Sequence, residues 1–151
     1  MKIITDPPKI FAVKNYFTGR FGLSEKHFDD LIFIEYWEKV YVLDASSKYP
    51  VLERKKFYGA GLLLMADFDL KIPANLAMTC FRKKDLKKNF IELSRKDVQS
   101  LYNNLPVPVS VVQGKFLEKG IVLVCLKDRV VCSAFFENSV LKINSGQDLQ
   151  D

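Results

Sequence analysis

From Leu31 onward the chain supplies β-branched and aromatic residues in short bursts, each stopped by a polar or glycine-containing turn. The bursts are Leu31–Tyr36, Lys39–Leu43, Phe57–Leu64, Asn89–Leu93, Val109–Gln113, Gly120–Leu126, Arg129–Phe136 and Val140–Ile143. Runs of this length and composition predict strands, and two-residue breaks such as Trp37-Glu38 and Lys127-Asp128 predict hairpins. A chain punctuated this way must build its core from sheets, with helices filling the intervals. Hydrophobic residues make up 48% of the 151 positions, enough for a packed core and too many for a disordered or collagen-like chain. The longest strongly apolar stretch, Gly59 to Ala66, is far below the roughly 20 residues that cross a bilayer.

The helical intervals carry their own signals. Phe11 to Phe17 reads as a short helix that Gly19 and Gly22 should break. Ser24 can cap the next turn, with Glu25 and Asp29 favourably placed near its positive end. Pro73 suits the first turn of a helix over Ala74 to Arg82, which would align Leu76 with Cys80 and send Cys80 into the core. Ser94, with Asp97 three residues on, predicts a capped helix from Arg95 to Tyr102 that Asn103-Asn104 ends. Leu105 to Pro108 must be extended, because each proline restricts the residue before it. Gly59-Ala60-Gly61 lacks the Lys-Ser/Thr and the helix start of a phosphate loop and reads as part of a strand.

The charge is uneven. Residues 1 to 79 hold 11 basic and 10 acidic groups, residues 80 to 129 hold 11 and 5, and residues 130 to 151 hold 1 and 3. The middle of the chain therefore carries +6 against a net +5 for the whole, with Arg82-Lys83-Lys84-Asp85-Leu86-Lys87-Lys88 its densest run. Such a concentration attracts polyanions through counterion release, and it equally describes a solvated lysine face. The usual catalytic inventory is missing. The sequence has one histidine, His27, no Cys-X-X-Cys or His-X-X-X-His spacing, and no nucleotide-binding glycine fingerprint. The expectation is a protein that is not an enzyme, with no catalytic residue, metal or cofactor. Three cysteines, Cys80, Cys125 and Cys132, sit among apolar neighbours, which suits buried thiols in a reducing compartment. Asp6, Pro7 and Pro8 cut short any apolar leader, so a soluble, cytoplasmic, membrane-free protein is expected.

Gly120-Ile121-Val122-Leu123-Val124, the turn, and Arg129-Val130-Val131-Cys132-Ser133-Ala134-Phe135-Phe136 resemble the terminal hairpin of the PUA domain, an RNA-binding module. Asp128 stands in the turn, and Cys132-Ser133-Ala134 replaces the family's glycine-rich stretch. Upstream, Val40–Leu43, Tyr58–Leu62, the segment around Ala74 to Phe81, and Asn89–Leu93 are similar in layout to the pre-PUA plus PUA proteins. These include the Nip-type ribosome-biogenesis factors. Tyr16-Phe17, Arg20-Phe21-Gly22 and Lys71-Ile72-Pro73 resemble segments of the C-terminal extension of archaeal Nop/Sun-type RNA cytosine methyltransferases.

The resemblance implies an α+β protein with an N-terminal α/β pre-PUA subdomain over 1–86. A PUA-like β pseudo-barrel with a short helix would follow over 87–146, then a disordered tail over 147–151. It implies a non-catalytic accessory protein that binds structured RNA, an rRNA precursor or tRNA, in ribosome biogenesis or RNA modification. Carried onto this chain, the family's contact positions are Asn103, Asn104, Lys115, Lys119 and Arg129. Read from the residues alone, Arg82, Lys83, Lys87 and Lys88 are either phosphate contacts or a solvated boundary, and Phe116 either stacks on a base or fills a core. The alternative function is a protein adaptor that docks on an RNA methyltransferase or ribosome-assembly factor through an exposed apolar patch.

Overall fold

The first helix is set by its ends and by one stripe. In the computed structural model, which describes residues 2–46, 61–69 and 71–143, α1 runs over Pro7–Phe21 with proline in its first turn, where a missing N–H costs nothing. It is longer than the Phe11 to Phe17 helix expected from sequence. Gly19 is carried inside the helix, and Gly22 ends it in the left-handed conformation (φ 68°), its N–H donating to the Thr18 carbonyl. Val13, Phe17 and Phe21, four residues apart, form the buried face. Phe17 meets Phe28 at 5.7 Å between ring centres, and Tyr16 stands edge-on to both Phe17 and Phe21.

Among the described residues two five-stranded sheets take up most of the predicted bursts, and the protein is a mixed helix-and-sheet fold with a curled, half-barrel character. The first sheet is an antiparallel meander of β1 (Lys2–Ile3), β2 (Leu31–Tyr36), β3 (Lys39–Asp44), β4 (Leu62–Asp67) and β5 (Ile72–Pro73) in chain order. The Phe57 to Leu64 strand predicted from sequence overlaps β4 over Leu62–Leu64; positions 57–60 lie outside the described residues, as do 144–151. The second sheet contains β6 (Phe90–Glu92), β7 (Val107–Pro108), β8 (Gly120–Leu126), β9 (Arg129–Glu137) and β10 (Val140–Ile143), ordered β6-β8-β9-β10-β7. Among the described residues only β6 pairs in parallel, against β8. The β8–β9 and β9–β10 turns place Lys127, Asn138 and Ser139 at positive φ, matching strand twist in tight hairpins.

Helix α2 is a single turn, Asn75–Met78, shorter than the predicted Ala74 to Arg82 span. Cys80 is consequently exposed beyond its end, contrary to the core position that helical spacing predicts. Helix α3 (Arg95–Tyr102) has the predicted start: the Ser94 hydroxyl accepts from the Asp97 N–H. It buries Val98 and Leu101. The predicted strand Val109–Gln113 is instead α4, Val111–Gly114, because the Ser110 hydroxyl accepts from the Gln113 N–H and nucleates a turn.

Two apolar clusters hold the molecule. One is built from α1, the first sheet and α2, and it includes Ile121, Leu123, Cys125 and Val130 from β8 and β9. The other lies on the opposite face of the second sheet, under α3, with Val122, Val124, Cys132, Ala134 and Leu141. Alternation along β8 sends odd-numbered residues to the first cluster and even-numbered ones to the second, so this strand is buried on both faces.

Candidate nucleic-acid interface

The basic run is stapled down by its main chain, which leaves its side chains for solvent. Arg82 forms an isolated antiparallel bridge with Arg129, and the Lys83 N–H donates to the Asp128 carbonyl at 2.9 Å. Farther on, the Lys87 N–H donates to the Phe21 carbonyl at 3.0 Å, and Leu86 is buried between these anchors. Arg82, Lys84, Lys87 and Lys88 are exposed as a result.

Directly opposite residues in an antiparallel pair project to the same face, so the bridge sets two guanidinium-bearing residues beside each other. Both are exposed, and among the described residues neither has a carboxylate within ion-pair distance. Lys84 and Lys127, exposed on the adjoining turns, are likewise without a carboxylate partner among the described residues. Lys83 differs: it pairs with Glu92, and that hydrogen bond raises the Lys83 ammonium above its ordinary value, with desolvation opposing it.

Strand register separates the remaining sequence-predicted contacts. Lys119 precedes β8 and pairs with Glu137 at the end of β9, whereas Arg129 lies at the opposite end of the same hairpin. Seven residues of β8 put these ends roughly 20 Å apart, at about 3.4 Å per residue. Lys119 and Arg129 therefore belong to different surfaces. Asn103 and Asn104 are exposed at the end of α3, with Asn104 in the left-handed conformation (φ 58°). This helix end is tied to β9 by Tyr102, whose hydroxyl donates to the Val131 carbonyl at 2.8 Å. Lys115 and Phe116 follow α4, and Phe116 is 76% exposed, which removes it from the core. Lys87, Lys88, Phe90, Glu92, Gln113 and Phe116 border a groove of about 400 Å³.

Sequence reasoning missed the polar joint under this surface. Asn89 is buried at φ 53°, and its Nδ2 donates to the Arg20 carbonyl (2.8 Å) and to Glu118 Oε2 (3.1 Å). Its Oδ1 accepts from the Glu118 N–H at 2.8 Å. The Arg20 guanidinium donates to the carbonyls of Glu118, Lys119 and Ile121 and to the Glu118 carboxylate. Gly120 (φ 116°) lets the chain pass: a Cβ there would lie 3.2 Å from an Arg20 Nη. These partners are separated by up to 101 positions, so no local spacing announces them. A second unforeseen surface is the β2–β3 tip, where Trp37 is 78% exposed and joins Tyr36 and Tyr41 around a depression of about 350 Å³.

Among the described residues no three His, Cys, Asp or Glu side chains stand together at metal-binding distance. His27 is exposed and sets its ring edge-on to Phe81 at 5.8 Å. Cys125 and Cys132 are buried, and burial pushes both thiols up to about 11, which keeps them protonated and unreactive near neutrality. Among the described residues no helix is long and apolar enough to cross a membrane. No protein-family model matches the sequence, and no curated protein matches it.

Proposed function

We propose that this is a non-catalytic RNA-binding accessory protein, acting in the cytoplasm on an rRNA precursor or tRNA. In this role it would serve an RNA methyltransferase or ribosome-assembly factor. The observation that carries the reading is the Arg82–Arg129 bridge. Two like charges held opposite each other repel, and a phosphate chain relieves that repulsion while releasing its own counterions. Lys84 and Lys127 extend the same positive field. The PUA-like hairpin Gly120–Phe136 supports the choice of RNA, since Arg129 begins its second strand. The function is binding and positioning; chemistry on the RNA belongs to a partner.

Fluorescence anisotropy with a structured RNA hairpin tests this directly. The association constant should fall steeply with salt. Arg82→Gln with Arg129→Gln should lower the slope of log K against log salt by about 2, roughly one for each phosphate left without its arginine. Binding that ignores salt, or a double variant with an unchanged slope, overturns the proposal.

A further inference from the structure

The groove beside β6 has a chemistry different from the arginine face. Among the described residues β6 is one edge strand of the second sheet, paired to β8 and to no other strand. The Leu123 N–H donates to the Asn89 carbonyl, and the Leu93 N–H donates to the Cys125 carbonyl. Residues 89, 91 and 93 therefore turn their main-chain groups toward β8, and alternation turns those of Phe90 and Glu92 the other way, into the groove. An unpaired edge is a template for another extended chain.

The opposite wall comes from α4 and the residue pair after it. Gln113 and Phe116 line the groove, and Val111 and Val112 are 74% and 69% exposed on the same short helix. Phe116, a large apolar side chain left in water at the groove wall, suits a protein partner. Outward-facing main-chain amides and carbonyls match a peptide backbone better than a nucleic acid. Charge selects the peptide's sign. Exposed Lys87 and Lys88 line the groove without a carboxylate partner among the described residues, and Lys115 is exposed beside Phe116. The acidic group in the lining, Glu92, is already paired with Lys83.

We infer that the free edge of β6, walled by Phe116 and flanked by Lys87 and Lys88, docks an extended acidic and apolar segment of a partner protein as an added strand. Main-chain hydrogen bonds to Phe90 and Glu92 supply affinity, while Phe116 and the lysines supply selectivity. This surface adjoins the arginine bridge through the Lys83–Glu92 pair and differs from it in offering main-chain groups and an aromatic wall.

The probe is a capped peptide of alternating valine and glutamate, long enough to overrun both ends of β6, titrated into the ¹⁵N-labelled full chain. The expected result is a shift of the Phe90 and Glu92 amide resonances, with slowed hydrogen exchange at both. The same peptide N-methylated at every amide should fail to bind. Phe116→Ser, at a position too exposed to affect folding, should weaken binding about tenfold. Four results overturn the inference: no shift at Phe90 and Glu92, equal binding by the N-methylated peptide, protection of these amides by self-association of the free protein, or the same shifts produced by oligouridylate instead of the peptide.

Discussion

Replacing Asn89 by alanine should damage this protein more than any surface change, and the cost can be worked from the joint it forms. The almost fully buried side chain makes three hydrogen bonds, to the Arg20 carbonyl, the Glu118 carboxylate and the Glu118 N–H. Truncation leaves the part-buried Arg20 carbonyl and Glu118 N–H without that partner, at about 1–2 kcal/mol each. Alanine also tolerates φ 53° less well than asparagine, adding about 1 kcal/mol. The expected total is about 4 kcal/mol. For a chain of this length, roughly 2–4 °C is lost per kcal/mol, so the melting temperature should drop by about 8–16 °C. Urea unfolding followed by far-ultraviolet circular dichroism measures the free energy, and a thermal scan measures the midpoint. Asn89→Gly separates the contributions: it removes the same hydrogen bonds and keeps the backbone comfortable, so it should be about 1 kcal/mol more stable than Asn89→Ala. The reasoning is refuted if Asn89→Ala costs less than about 1 kcal/mol, or if the glycine variant is no better than alanine.

Other perturbations test other parts. Arg82→Gln or Arg129→Gln should raise thermal stability slightly, by up to about 0.5 kcal/mol, while weakening RNA binding; a loss of stability would mean the pair is held by contacts other than those described. A colorimetric thiol reagent at mildly alkaline pH should titrate Cys80 alone in the native protein, and all three thiols after denaturation, because Cys125 and Cys132 are buried with pKa values pushed up to about 11. Rapid native reaction at more than one thiol contradicts that burial. Burial also pushes the Tyr16 hydroxyl up to about 12, with the Arg20 charge pulling the other way. The folded protein holds this proton more tightly than the unfolded chain, so the associated stability is complete below pH 10 and declines as pH rises toward 12. Ultraviolet titration of tyrosinate against unfolding should show this parallel decline, and Tyr16→Phe should remove its share while leaving the decline that Cys125, Cys132 and Tyr102 contribute.

Most of what governs local structure was legible along the chain. Ser94 and Asp97 announced α3, the prolines at 106 and 108 announced the extended segment that contains β7, and two-residue breaks announced the hairpins. Each depends on forces within a few residues: a hydroxyl reaching a free amide, a proline ring limiting φ, alternation matching a pleat. The structure departs from the local signals where two conformations compete closely. Val109–Gln113 has strand-forming side chains, and a cap at Ser110 turned it into α4. The spacing of apolar residues after Pro73 suggested two or more turns of helix, and only one formed, leaving Cys80 outside.

The candidate site divides along the same line. Residue order alone concentrates positive charge between residues 80 and 129 and makes short strands dominate the fold. Tertiary structure alone decided which of those charges meet. An isolated bridge between the 82 segment and β9 puts Arg129 beside Arg82, and the β8–β9 register sends Lys119 to the far end with Glu137. Tertiary structure also drew Arg20, Asn89 and Glu118 into one joint from three distant parts of the chain. The physical reason is that a charge or amide takes its role from the groups around it in space, and long-range neighbours are set by strand pairing and core packing.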